Sequence, residues 1–88
     1  MKRFGLSVIA VALVAATPAA AASCGELWYA RNAVYKQAGY CFKTARAIRA
    51  FGNAGCVYDY EGAVPLTQQQ RAYVANIVRQ EQYQGCRG

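Results

Sequence analysis

The chain has 88 residues and a formal charge of +6, with four cysteines and no histidine. That length holds one small domain, which excludes barrels, dinucleotide folds and multi-domain enzymes, and the lack of histidine excludes Ser-His-Asp, Cys-His and His-ligated zinc chemistry. The positive balance favours anionic surfaces without specifying lipid or wall polymer, and nucleic acid is not an expected partner.

Met1-Lys2-Arg3 is a short positive region, followed by an apolar run from Phe4 to Ala16 and the breaker Thr17-Pro18. Ala20 and Ala22 then supply the A-x-A pattern of a secretory signal, with cleavage expected between Ala22 and Ser23. The run is too short to span a bilayer comfortably. Cleavage leaves 66 residues with a charge of +4 and no transmembrane span, secreted or periplasmic. A second reading places a lipid on Cys24, behind Ala21-Ala22-Ser23. Bacterial lipoproteins normally carry Leu where Ala21 stands, and lipidation would strand three cysteines.

Ser23-x-x-Glu26 fits a capping box. Leu27, Arg31, Val34, Tyr35 and Ala38 recur at helical spacing with Trp28 beside them, and Gly39 is a natural left-handed stop. These signals predict a helix over 24–38. Tyr40-Cys41-Phe42 is an apolar connector expected to pack inward. Thr44 can cap a short second helix ending near Phe51, with Ala47, Ile48 and Phe51 on one face. Gly52-Asn53-Ala54-Gly55 closes it in a loop. Residues 57–62 show no helical period and read as a loop or extended strip. Thr67-x-x-Gln70 is a second capping box, and Tyr73, Val74, Ile77 and Val78 continue a third helix over 68–84, stopped at Gly85. The expected fold is all-α: a small three-helix domain stapled by disulfides, and monomeric. Residues 23–88 contain ten aromatic residues against nine Leu, Ile and Val, so its core must be built largely from rings.

Cys24, Cys41, Cys56 and Cys86 are spaced by 17, 15 and 30 residues, with no C-x-x-C pair to suggest a metal or redox site. An even count in a small exported domain reads as a disulfide framework, each bridge contributing about 2–4 kcal/mol. A helix of about 15 residues holds its ends roughly 20 Å apart, which excludes Cys24–Cys41. If the helices run up, down and up, Cys24 shares one end with Cys56 and Cys41 the other with Cys86. That pairing is favoured. Cys24–Cys86 with Cys41–Cys56 stays open because the second helix is short.

Arg31-Asn32-x-Val34-Tyr35-x-x-x-Gly39-Tyr40-x-Phe42 resembles the core of the YARHG domain, a small extracellular module of bacteria. Ile48 and Phe51 match its short helix, and Leu66-Thr67, Asn76-Ile77 and Glu81 match its closing turn and helix. The resemblance covers roughly residues 27–81. It departs at the name-giving motif, which reads Tyr35-Lys36-Gln37-Ala38-Gly39, and at a Trp-Tyr pair replaced by Gly55-Cys56-Val57-Tyr58. It is therefore similar to a disulfide-bearing branch of that family. The resemblance implies an accessory or recognition role toward an envelope protein or cell-wall component, with no catalysis and no cofactor.

The candidate binding residues are Trp28, Tyr29, Arg31, Asn32, Tyr40, Arg46 and Arg49. Trp28, Tyr29 and Tyr40 could stack on a sugar or base, although a core this poor in aliphatics has its own use for rings. Mid-helix Asn32 is a poor local choice and could hold a neighbouring loop; Arg31 could pair with Glu81 between helices. Lys43, Arg46 and Arg49 with Arg71 and Arg79 form either an anion-binding face or an ordinary solvated one. That face also motivates an alternative function, a cationic effector or inhibitor acting on anionic membranes or a partner enzyme. Asp59 and Glu61 bracket Tyr60, but nothing positions them as a glycosidase pair.

Overall fold

Serine and threonine at the ends of apolar-periodic runs start the two long helices, because their side-chain oxygens satisfy backbone N–H groups that a first helical turn leaves unpaired. In the computed structural model, which describes residues 22–87, α1 spans Cys24–Ala38 and α3 spans Gln68–Gln84, with the short α2, Ala45–Phe51, between them. The Ser23 hydroxyl accepts from the Glu26 N–H at 3.1 Å while Glu26 Oε1 accepts from the Ser23 N–H at 2.8 Å. Thr67 and Gln70 repeat the exchange at 3.1 and 2.8 Å. Thr44 caps α2, accepting from the Ala47 N–H. The three helices of the described residues begin and end where the local signals put them. Among those residues, a 3₁₀ turn over Glu61–Ala63, overlapping the stretch read as loop, is the helical element without a signal of its own. The predicted export signal, apart from Ala22, lies outside the described residues.

Gly39 does two things. At φ 96° it takes the left-handed conformation that ends α1, with the Tyr40 N–H donating back to the Tyr35 carbonyl. Its bare Cα also lets the 57–58 strip approach, since a Cβ there would stand 3.4 Å from the side chains of both Val57 and Tyr58. The Gly39 carbonyl accepts from the N–H groups of Val57 and Tyr58, and the Cys41 N–H donates to the Tyr58 carbonyl at 2.8 Å, an isolated parallel bridge between residues 40 and 58.

Rings fill the core, as the composition requires. Trp28, Tyr40 and Phe42 are buried with Ala47, Val64, Leu66 and Val74. A chain of ring contacts runs through it: Tyr29 to Phe51 at 4.7 Å, Phe51 to Phe42 at 5.3 Å, Phe42 to Tyr40 at 5.2 Å, Tyr40 to Tyr35 at 5.9 Å. Ile48 departs from expectation. It is exposed, because only the Ala47 and Phe51 side of α2 meets the core. The connector between Tyr40 and Thr44 is gripped by Asn53, whose Oδ1 accepts from the Phe42 N–H at 2.7 Å and whose Nδ2 donates to the Phe42 carbonyl at 3.0 Å. One side chain thus completes both hydrogen bonds that a neighbouring strand would make. Asn53→Ala leaves both backbone groups of a buried residue unpaired, and chemical denaturation should show a loss of about 1–3 kcal/mol.

The disulfides correct the favoured pairing. Cys24 is bonded to Cys86 and Cys41 to Cys56, not Cys24 to Cys56 and Cys41 to Cys86. With seven residues, α2 is too short to be a full leg; it serves as a spacer, and α3 returns antiparallel to α1. The end of α3 therefore meets the start of α1. Gly85, at φ 72°, turns the chain there, and the Cys86 N–H donates back to the Glu81 carbonyl at 2.8 Å, which folds Cys86 over the helix end beside Cys24. Beside this bridge, Gln84 Nε2 donates to the Ala22 carbonyl. With its sulfur in a disulfide, Cys24 has none left for a lipid thioether.

Candidate functional site

α1, the connector, the start of α2 and the 3₁₀ turn together line a groove of about 360 Å³. Its floor is Trp28, Tyr40, Phe42 and Ala47; its rim is Arg31, Asn32, Lys43, Thr44, Arg46 and Glu61. Five of the seven residues singled out from the sequence, Trp28, Arg31, Asn32, Tyr40 and Arg46, meet here. The other two do not. Tyr29 lies on the next face of α1, half-exposed against Phe51, and Arg49 points to solvent from α2.

Each polar group at the rim has its own electrostatic situation. Arg31 donates through Nε to Glu81 Oε1 at 2.8 Å and through an Nη to Oε2 at 2.9 Å, the two-pronged pair expected between α1 and α3. The hydrogen bond to Glu81 raises the Arg31 pKa against the opposing pull of burial. Arg31 is thus charged at any working pH, and the stability it contributes with Glu81 is not lost by its deprotonation anywhere in that range. The Arg46 guanidinium carbon lies over the Trp28 ring, 3.8 Å from its centre. At an exposed site such a cation–ring contact contributes about 0.5–1 kcal/mol, enough to bias the guanidinium toward this position. Lys43 stands 3.4 Å from Asp59 in a largely exposed pair. Asn32 is buried and does not hold a neighbouring loop; its Nδ2 donates to the Trp28 carbonyl one turn back, at 2.9 Å.

Tyr35 lies behind the groove, and burial, with the charge of Glu61 second, raises its phenol above the ordinary value of 10.0. The folded state therefore holds this proton more tightly than the unfolded one. The associated stability is complete below about pH 10 and is lost as pH rises through the raised value. Urea titrations between about pH 9 and 11 should show stability falling less steeply for Tyr35→Phe than for the unaltered protein.

Sequence reasoning missed Phe42, Lys43, Thr44, Ala47 and Glu61 as groove residues. The charge of Glu61 opposite the cluster Lys43, Arg46 and Arg49 was the available hint. The two acids considered as a pair separate, Glu61 lining the groove and Asp59 meeting Lys43 outside its lining. Among the described residues no helix is long and apolar enough to cross a membrane, and no group of three His, Cys, Asp or Glu side chains is placed to hold a metal ion.

No functionally curated protein and no solved structure matches the chain. A family model does match, over residues 7–82, and its span contains the Arg31-Asn32 to Gly39-Tyr40-x-Phe42 block, whose residues end α1 and build the groove. The two disulfides agree with the non-cytoplasmic setting of that extracellular module of bacteria. By this match, which covers most of its length, the chain belongs to the YARHG domain family.

Proposed function

We propose that this YARHG domain is a non-catalytic recognition module, secreted or periplasmic, that uses the α1–α2 groove to bind an envelope protein or cell-wall component. The observation that carries this reading is convergence. Residues far apart in sequence, from Trp28 to Glu61, bring rings, one buried amide and three cations to a single concavity. Concave sites with an apolar floor and a few fixed polar groups are the usual form of a ligand site. Binding rather than catalysis is supported by a groove lining with one carboxylate, Glu61, and by an Arg31 engaged with Glu81. The membrane-effector alternative draws less support, since Arg31 and Lys43 each stand beside a carboxylate.

The test is crosslinking in the native cell. A photoreactive residue at Thr44, on the groove rim, is compared with one at Gln37 on an exposed turn of α1. The expected result is a discrete envelope species captured from position 44 and not from 37. Equal capture from both positions, or none from either, removes the groove as the recognition site.

A further inference from the structure

Among the cations of the groove, one rests on a ring and is left uncommitted. Arg31 uses two N–H donors on Glu81, and Lys43 stands beside Asp59. Arg46 lies over the Trp28 ring, and among the described residues none of its donors meets an acceptor within hydrogen-bond distance. A ring contact takes up none of the N–H donors of a guanidinium, a planar fork matched to a carboxylate.

One turn of α1 beyond Trp28, Asn32 makes the complementary demand. It is 9% exposed, lines the same groove, and donates through Nδ2 to the Trp28 carbonyl. Among the described residues no donor reaches its Oδ1. A buried acceptor without a donor costs about 1–3 kcal/mol, so the groove favours a ligand that brings an N–H.

Resting on the recognition reading above, we propose that the groove binds the carboxyl-terminal end of a peptide, the carboxylate on the Arg46 fork and a backbone N–H of the ligand on Asn32 Oδ1. A volume of about 360 Å³ is at the small end for ligand pockets and suits a chain end rather than a chain segment. A phosphomonoester dianion satisfies these groups less well. It brings only acceptors to Asn32, and Glu61 on the rim repels its two charges more than the single charge of a carboxylate.

Trp28 is the sole tryptophan of the chain, so intrinsic fluorescence reports directly on the ring beneath Arg46. The disulfide-bonded exported protein is titrated with N-acetyl-alanyl-alanine in its L,L and D,D forms, each as free acid and as carboxamide. The expected result is a saturable change with a free acid, at least about tenfold weaker with its amide, and weakened about tenfold by Arg46→Gln but not by Arg49→Gln. The Asn32 side-chain amide resonance should shift with the same binding curve. Preference for D,D assigns the ligand to a wall stem peptide and preference for L,L to a protein terminus, and either supports the proposal. Acid and amide binding equally well would overturn it while leaving the groove a recognition site. It is also overturned if no acid saturates up to millimolar concentration or if inorganic phosphate competes as well as the acids. Capture from position 44 in the cell, if observed, would survive all three.

Discussion

Serine at both Cys24 and Cys86 is expected to leave the domain largely unfolded at about 37 °C, while serine at Cys41 and Cys56 leaves a weakened but folded protein. The bridges close separations of 62 and 15 residues. In the chain-entropy account, the longer loop is worth about 4 kcal/mol and the shorter about 3 kcal/mol. The inner bridge shortens the outer loop, but the cost grows only logarithmically, so the order survives. A domain this small has a net stability of about 3–10 kcal/mol, comparable to one bridge. The outer bridge also joins the start of α1 to the end of α3, the contact that carries Arg31 and Glu81. Circular dichroism during urea titration separates the variants; an outer variant more stable than the inner one would refute this account. The pairing is checked directly by unreduced tryptic digestion. The peptide ending at Arg31 should appear linked to Gln80–Arg87, and Gln37–Lys43 to Ala50–Arg71.

Phe42→Ala should cost about 3–5 kcal/mol with both disulfides intact, the usual range for deleting a buried ring in a site that cannot collapse. Phe42 is 3% exposed and lies between the rings of Tyr40 and Phe51, at 5.2 and 5.3 Å. Its backbone is held on both sides by Asn53, so the connector cannot slide inward to fill the space. Tyr83→Ala is the counterpart at 94% exposure, and its effect should lie within about 0.5 kcal/mol. Equal losses at the two positions would mean that the ring chain is not the core. Phe42 also belongs to the groove floor, so the variant should lose ligand binding before it unfolds.

The aromatic core was legible because there was little else to build it from, and Tyr40 and Phe42 pack inward as their apolar setting implies. The Arg31–Glu81 pair was legible from two charges of opposite sign on the long helices. Ile48 was not, since a helix of two turns has too few residues for periodicity to say which side meets the core. The role of Asn53 was hidden for a different reason. In a Gly-Asn-Ala-Gly run an asparagine reads as turn chemistry, and only the position of Phe42 eleven residues earlier makes it a surrogate strand. The groove itself assembles residues from Trp28 to Glu61, and its Glu61 wall comes from the unsignalled 3₁₀ turn.

The sequence by itself determined the starts and stops of the helices, the aromatic nature of the core, the existence of a disulfide framework and the resemblance that located the family. These are consequences of interactions within three or four residues, such as Ser23 with Glu26 or Gly39 with Tyr35, or of composition. Only the tertiary structure decided that α3 returns antiparallel to α1, and with it the pairing of Cys24 with Cys86 and Cys41 with Cys56. The same packing left Arg46 uncommitted over Trp28 while Arg31 was consumed by Glu81. Helix direction and the availability of a charge depend on which distant surfaces meet, and no local signal carries that information.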